Sequence, residues 1–397
     1  MTHSALEPER EVEAVIDGDW VKANQTTLGS DNGIGIAAIM AILESQELKH
    51  GPLEALFTVS EETTMAGAFG LNGADMNGRI LLNLDSEDEG ELFIGCAGGI
   101  DLNITWNCNQ SSDLAGTCYK LNITGLKGGH SGIDINLGRA NANKVMLNLL
   151  KGLSSKFDIQ LVEFSGGDLR NAIPREAEAI IKTQTDFSLL NAYMDKAMRD
   201  LNDRYNGIED KIVTKVEEVG LDVPGMDVES QNKFMELLLN CPDGVIAMSE
   251  DIPGVVQTSN NLAIIKAGKG RVEVKTLLRS SYDKGKMQKA EEISNEFIKH
   301  SVNVELSNGY PGWLPDINSK ILRIASATYK NVFNSDAKIK VIHAGLECGI
   351  IGDKIPGLDM ISFGPTIRFP HSPDEKVNIQ SVGRFWTFLK ALLETIE

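Results

Sequence analysis

Two adjacent carboxylates, Glu61 and Glu62, close the apolar, β-branched stretch LFTVSEETTM (Leu56–Met65). Like charges side by side repel, nothing basic follows nearby to neutralise them, and a bound cation would relieve the repulsion. Adjacent acids can divide the labour of metal-assisted hydrolysis. One ligates the metal, and the other takes a proton from water. Three further groups suit such a centre: Asp31 in GSDNGIG, Asp85 in LLNLDSE, and His371 between two prolines in FPHSPDE. An oxygen-rich set with one imidazole favours zinc, manganese or cobalt. Singly, each residue has a plainer role. Asp31 caps a helix, Glu61–Glu62 is a solvated turn, Asp85 opens the solvated acidic run DSEDEGE, and His371 caps or packs. Their joint position at strand ends is what points to a metal.

Other residues carry chemistry less specifically. His130 in KGGHSG sits in a glycine-rich turn after a strand, where an imidazole contacts a ligand or is simply a turn histidine. Arg279 ends VEVKTLLRSS, where a guanidinium either clamps a carboxylate with two parallel hydrogen bonds or stands at the surface. The glycine-flanked loop HAGLECG (His343–Gly349) offers His343 and Glu347 to a substrate, with no unique role for either. There is no G-x-S-x-G elbow, no phosphate-binding P-loop and no H-E-x-x-H.

The elements that would carry these groups follow from periodicity. IAAIMAILESQEL after TTLGSDNGIG reads as a helix, PLEALFTVS as a buried strand, and RILLNLDSEDEGEL as a strand ending in acids. Ligand sites of open α/β sheets lie beyond the carboxyl ends of their strands, and that is where Glu61, Glu62 and Asp85 fall. From about Gly98 the pattern becomes strand-rich with interspersed helices, among them RANANKVMLNLLKGL, a long helix from about Phe187 to Tyr205, and KMQKAEEISNEFIKH. From about Trp313 the α/β pattern returns, with SKILRIASATYKNVF and SVGRFWTFLKALLETI as helices around the strands AKIKVIHAG and LDMISFG. The expectation is a discontinuous α/β domain with a mostly parallel sheet (residues 1–98 and 315–397) and an inserted α+β domain (99–314), the latter built of two similar halves.

The 397 residues exceed one ordinary core. A net charge of −18 argues against nucleic acid or an anionic membrane as partner. Five widely spaced cysteines, with no C-x-x-C, fit free thiols in a reducing cytoplasm. The acidic start MTHSALEPEREVEA is unlike a signal peptide, and the longest apolar run, Ile34–Leu43, is too short to cross a bilayer.

Together, TTLGSDNGIG, SEETTMAGAFGL, LLNLDSEDEGELFIGCAGGID, GLKGGHSG, LRNAIPREA, IHAGLECG and GPTIRFPHSPDE resemble the bacterial aminoacyl-histidine (Xaa-His) dipeptidases of the zinc peptidase family that includes carnosinases. The resemblance runs from about Ile16 to the C-terminus. It implies a catalytic α/β domain, an inserted lid domain, two metal ions per chain (Zn2+, with Mn2+ or Co2+ also suited), a dipeptide substrate and a homodimer. By the same resemblance Asp31 bridges the two metals, Glu62 and His371 complete one, and Asp85 ligates the other. Glu61 is then the general base, His130 the lid histidine that polarises the scissile carbonyl or steadies the tetrahedral oxyanion, and Arg279 the partner of the substrate carboxylate.

The sequence departs from this pattern at one point. The family carries a His-x-Asp motif upstream, and none of the six histidines here has Asp two residues later. The expectation is therefore an N-terminally incomplete catalytic domain, with one metal position short of a ligand and with unpaired sheet edges. Two rival functions follow: a catalytically impaired homologue that binds ligand or one metal, and a same-family peptidase or amidohydrolase of other specificity.

Overall fold

The computed structural model describes residues 12–396. The chain divides into two units. One comprises described residues 12–96, 313–342 and 346–396; the other comprises Ala97–Gly312 with His343–Gly345. The acidic start discussed above lies largely outside the described residues.

The first unit has two sheets. In one, the strand order is Lys338–Ile342, Glu91–Cys96, Asp359–Ser362, Ile80–Asn83. The outer pairings are parallel and the central one, Ser362 opposite Phe93, is antiparallel. The helix Ile379–Thr395 starts at Asn378, whose side chain accepts from Ser381 N. It buries Phe385, Phe388, Leu389 and Leu392 at helical spacing, with Phe388 4.9 Å from Phe363 and 5.3 Å from Tyr329. Each such ring contributes about 1.5–3 kcal/mol through burial. The helix Lys320–Phe333, capped by Ser319, brings Tyr329 to this cluster. The second sheet is an antiparallel ribbon of Ala14–Asp17, Trp20–Ala23, Lys376–Asn378 and Ile367–Arg368. Its last two strands flank the loop that carries His371.

Among the described residues the second unit has one large antiparallel sheet and two short antiparallel pairs, Gly129–His130 with Ala172–Ile173 and Gln110–Ser111 with Gly225–Met226. The large sheet runs in the order Val213–Val219, Thr117–Thr124, Ala177–Thr183, Ile159–Gly166, Val256–Gly268, Arg271–Ser280, Gly98–Asn107, Asn303–Tyr310, with Gly244–Met248 also paired to Val256–Gly268. Helices Ala142–Ser154, Phe187–Arg204, Val228–Asn240 and Asp283–Ile298 accompany it. Leu102, Ile104, Leu121, Ile123, Phe164 and Phe234 are almost wholly buried in its core.

One expected element does not form. PLEALFTVS pairs with no strand among the described residues, and Leu53, Phe57 and Val59 are exposed. Apolar alternation makes a strand only where a neighbouring strand takes up its N–H and C=O groups. Here the segment is tethered by side chains instead. Glu54 accepts from the backbone N–H groups of Asn77 and Gly78, and Thr58 donates to Glu347. With Ile42, Leu82 and Leu389 its residues line an apolar cavity of about 530 Å3. No helix among the described residues is long and apolar enough to cross a membrane.

Candidate metal centre

Glu61 and Glu62 stand on a tight turn. The N–H groups of Thr63, Thr64 and Met65 all point to Ser60 O, at 3.4, 3.1 and 2.8 Å. Ser60 and Met65 adopt positive φ of 60° and 51°, so the backbone reverses within five residues and presents both carboxylates at its apex. Asp31 lies just inside the helix Ser30–Glu44, with non-helical φ −92° and ψ 104°. Its side chain does not cap that helix, whose N-cap is Gly29. Instead its Oδ2 lies 2.9 Å from His371 Nε2, and the carboxylate is largely buried. Glu62 Oε2 lies 2.7 Å from the same nitrogen. His371 has φ 57°, a conformation rare for residues other than glycine, and Ser372 Oγ bonds back to Phe369 O to hold the turn.

Asp31, Glu62 and His371 each offer one ligand atom, and these lie within 4.8 Å of one another. Among the described residues this is the one such group of His, Cys, Asp and Glu. One imidazole facing two carboxylates at this separation is a donor set that suits a divalent transition ion. The electrostatics agree. Hydrogen bonds to Asp31 and then Glu62 raise the His371 pKa to about 10, as two facing carboxylates should.

Around the trio, acids accumulate. Burial, followed by the charges of Glu62, Glu347, Asp31 and the opposing His371, raises Glu61 to about 7. Burial and then Glu61, Asp31, Glu62 and Glu347 raise Asp85 to about 9. Asp85 therefore shares the field of the trio while standing outside its 4.8 Å group. Glu347, at the start of the helix Glu347–Lys354, belongs to the same neighbourhood through Thr58.

The sequence reading missed two acids. Glu87 is raised to about 7, by burial first and the Asp31 charge second. Glu375 is fully buried and accepts from Gly29 N, Ser30 Oγ and Asp31 N at 3.0, 2.5 and 3.1 Å. It ties the Asp31 turn to the His371 loop four residues upstream of it. The stretch PHSPDE held the only signal, an acid shortly after the histidine, which is no pattern by itself.

The remaining candidates lie in the second unit and form a cluster of their own. His130 Nδ1 accepts from Gly132 N and Ile133 N at 3.2 and 3.1 Å, which leaves the ring proton on Nε2. Burial, then the Arg279 charge, lowers His130 to about 4, so it is a neutral donor near pH 7. Gly128 (φ 63°) and Gly129 (φ 135°) make the turn that sets this ring. At Gly132 a Cβ would stand 2.0 Å from His343 O, so only glycine lets the two loops approach. His343 Nε2 is 2.8 Å from Ser259 Oγ, and burial followed by Arg279 lowers this histidine to about 3. Arg279 is 4% exposed. Its Nη1 donates to Tyr310 OH at 2.7 Å and its Nε to Ser131 Oγ at 3.4 Å, and no carboxylate among the described residues pairs with it. A buried guanidinium held only by neutral hydroxyls is poised for an anion.

Comparison with known proteins was consistent with this chemistry. A model of Peptidase family M20/M25/M40 matches residues 29–395. The cytosol non-specific dipeptidase of Escherichia coli (strain K12) is 42% identical over 391 residues, which are 97% of this chain and 80% of that protein. The crystal structure of aminoacylhistidine dipeptidase from Vibrio alginolyticus is 45% identical, with a TM-score of 0.90 over 98% of this chain and 80% of that chain. Aminopeptidase PepT from Bacillus cereus ATCC 10987 has a similar fold at 12% identity, with a TM-score of 0.53 over 98% of this chain and 78% of that one.

Proposed function

The chain belongs to Peptidase family M20/M25/M40 and is a metal-dependent dipeptidase, and from that premise we propose that it cleaves aminoacyl-histidine dipeptides, with Glu61 as its general base. The observation that carries the assignment is the trio Asp31, Glu62 and His371 with Glu61 beside it, its carboxyl raised to about 7. Asp31, Glu62 and His371 would hold one cation; a second, offered only Asp31 and Asp85, would be held weakly. Zn2+ is the favoured ion, and Mn2+ or Co2+ suit the same donors. Such a cation supplies Lewis-acid polarisation and acidifies water.

The chain's own groups do the rest. Glu61 takes the proton of the attacking water and returns it to the leaving amine, and a pKa near the working pH suits both transfers. His130, neutral with its proton on Nε2, donates to the oxygen that gains charge as the carbonyl becomes tetrahedral. Arg279, lacking a carboxylate of its own, binds the substrate's terminal carboxylate, and His343 lies in the same cluster. The preference for C-terminal histidine rests on likeness to the Vibrio alginolyticus protein. A cytoplasmic location rests on likeness to the Escherichia coli protein and on the burial of all five cysteines. A homodimer rests on the family resemblance.

The test measures metal content and turnover on one purified sample, with zinc, manganese or cobalt supplied. Glycyl-histidine and β-alanyl-histidine should be hydrolysed faster than glycyl-leucine. Glu61→Gln should lose roughly 10²–10⁴-fold in kcat with metal content unchanged. Full turnover by Glu61→Gln would remove the assignment of the base. No preference for histidine would leave a dipeptidase of other specificity, and bound metal without any turnover would leave a binding protein.

A further inference from the structure

Glu347 is 7% exposed. One of its oxygens, Oε2, accepts from Thr58 Oγ1 at 2.7 Å. The other, Oε1, is buried without a hydrogen-bond partner. A buried carboxylate with an unpartnered oxygen, and with no Lys, Arg or His paired to it among the described residues, is costly unless a ligand supplies the donor. Its charge acts on both Glu61 and Asp85, so it lies in their neighbourhood. Yet it is not one of the residues whose ligand atoms cluster within 4.8 Å. It therefore stands outside the Asp31–Glu62–His371 position, as Asp85 does, and an ammonium carried by the substrate is a donor that would satisfy it. In an aminoacyl dipeptide the free ammonium nitrogen lies two bonds, about 2.5 Å, from the carbonyl carbon that is attacked.

We propose that Glu347 is a specificity-determining residue whose Oε1 receives the free amino group of the dipeptide, so that the site demands an unblocked N-terminus. Thr58 is its positioning residue: it occupies Oε2 and turns Oε1 to the ligand. This inference rests on the dipeptidase reading and refines it.

The experiment is done in the Glu61→Gln background, loaded with zinc, where binding is read without turnover. Calorimetry compares glycyl-leucine with N-acetylglycyl-leucine. The free amine should bind on the order of 100-fold more tightly, and Glu347→Gln should bring the ratio close to one while leaving the acetylated peptide and the zinc content unchanged. Thr58→Val, which keeps the carboxylate, should lower the ratio part of the way, and it serves as the readout if Glu347→Gln does not fold. An unchanged ratio in a folded variant would overturn the proposal. Loss of zinc with the ratio intact would make Glu347 a metal ligand instead. If neither peptide binds and the unmodified chain hydrolyses neither, the dipeptidase reading itself fails and takes the proposal with it.

Discussion

His371 holds its proton to about pH 10 because Asp31 and Glu62 both accept from it. A group that binds its proton more tightly when folded adds stability below its ordinary pKa, 6.5 here, and loses it as pH rises through the folded value. Glu61, raised from 4.5 to about 7, and Asp85, raised from 3.8 to about 9, act in the same sense, since their protonated forms suit the buried, acid-rich surroundings. His130 and His343 are lowered and act oppositely, adding stability as pH rises from about 3–4 to 6.5. Above pH 6.5 only the first group titrates. The metal-free protein should therefore melt at progressively lower temperature from pH 6.5 to 9, and the increase in melting temperature caused by zinc should grow over the same interval as protons leave the ligands. Thermal melts with and without zinc at four pH values check this; a flat metal-free profile would contradict it.

The turn carrying Asp31 is set by Glu375, which accepts three hydrogen bonds from residues 29–31. Groups that orient metal ligands in this way typically govern affinity by 10–100-fold. Glu375→Gln keeps the shape and loses the charge, so it should weaken zinc binding by about 10–100-fold, measured by competition with a chelator. Unaltered affinity would show that the helix start is held without it. The segment Leu53–Val59 makes a contrasting prediction. With no ladder among the described residues, its amides should exchange with deuterium orders of magnitude faster than those of Leu92 and Ile94 in the neighbouring sheet. Helices were legible in the sequence because their apolar spacing and caps are local: Asn378 and Ser319 precede their helices as the pattern demands. Leu53–Val59 was misjudged because its alternation says nothing about whether a partner strand stands beside it. Within the site, Asp31, Glu62 and His371 were legible as acids and a histidine at the ends of elements. Glu375 was not, because its role arises from bonds to residues some 345 positions away.

At the scale of the whole molecule, 56 acidic and 38 basic side chains leave a charge of −18, a field that keeps polyanions away and attracts divalent cations. The buried Arg279 is a local exception, held by Tyr310 and Ser131 with no carboxylate among the described residues, so that an anion can be accepted there at all. The discontinuity of the chain has a further effect. The unit with Asp31 and Glu62 also needs His371, and 340 positions separate the first of these from the last. Between them the chain lays down the whole second unit, Ala97–Gly312 with His343–Gly345. On a ribosome adding about 5–20 residues per second, that separation corresponds to roughly 17–70 s of synthesis. Until that interval ends, the carboxylates of Asp31 and Glu62 stand without the His371 imidazole that faces them in the folded chain. The second unit's sheet can form before that point, whereas the trio is complete only once His371 has been made, which places metal acquisition by this ligand set after synthesis of the second unit.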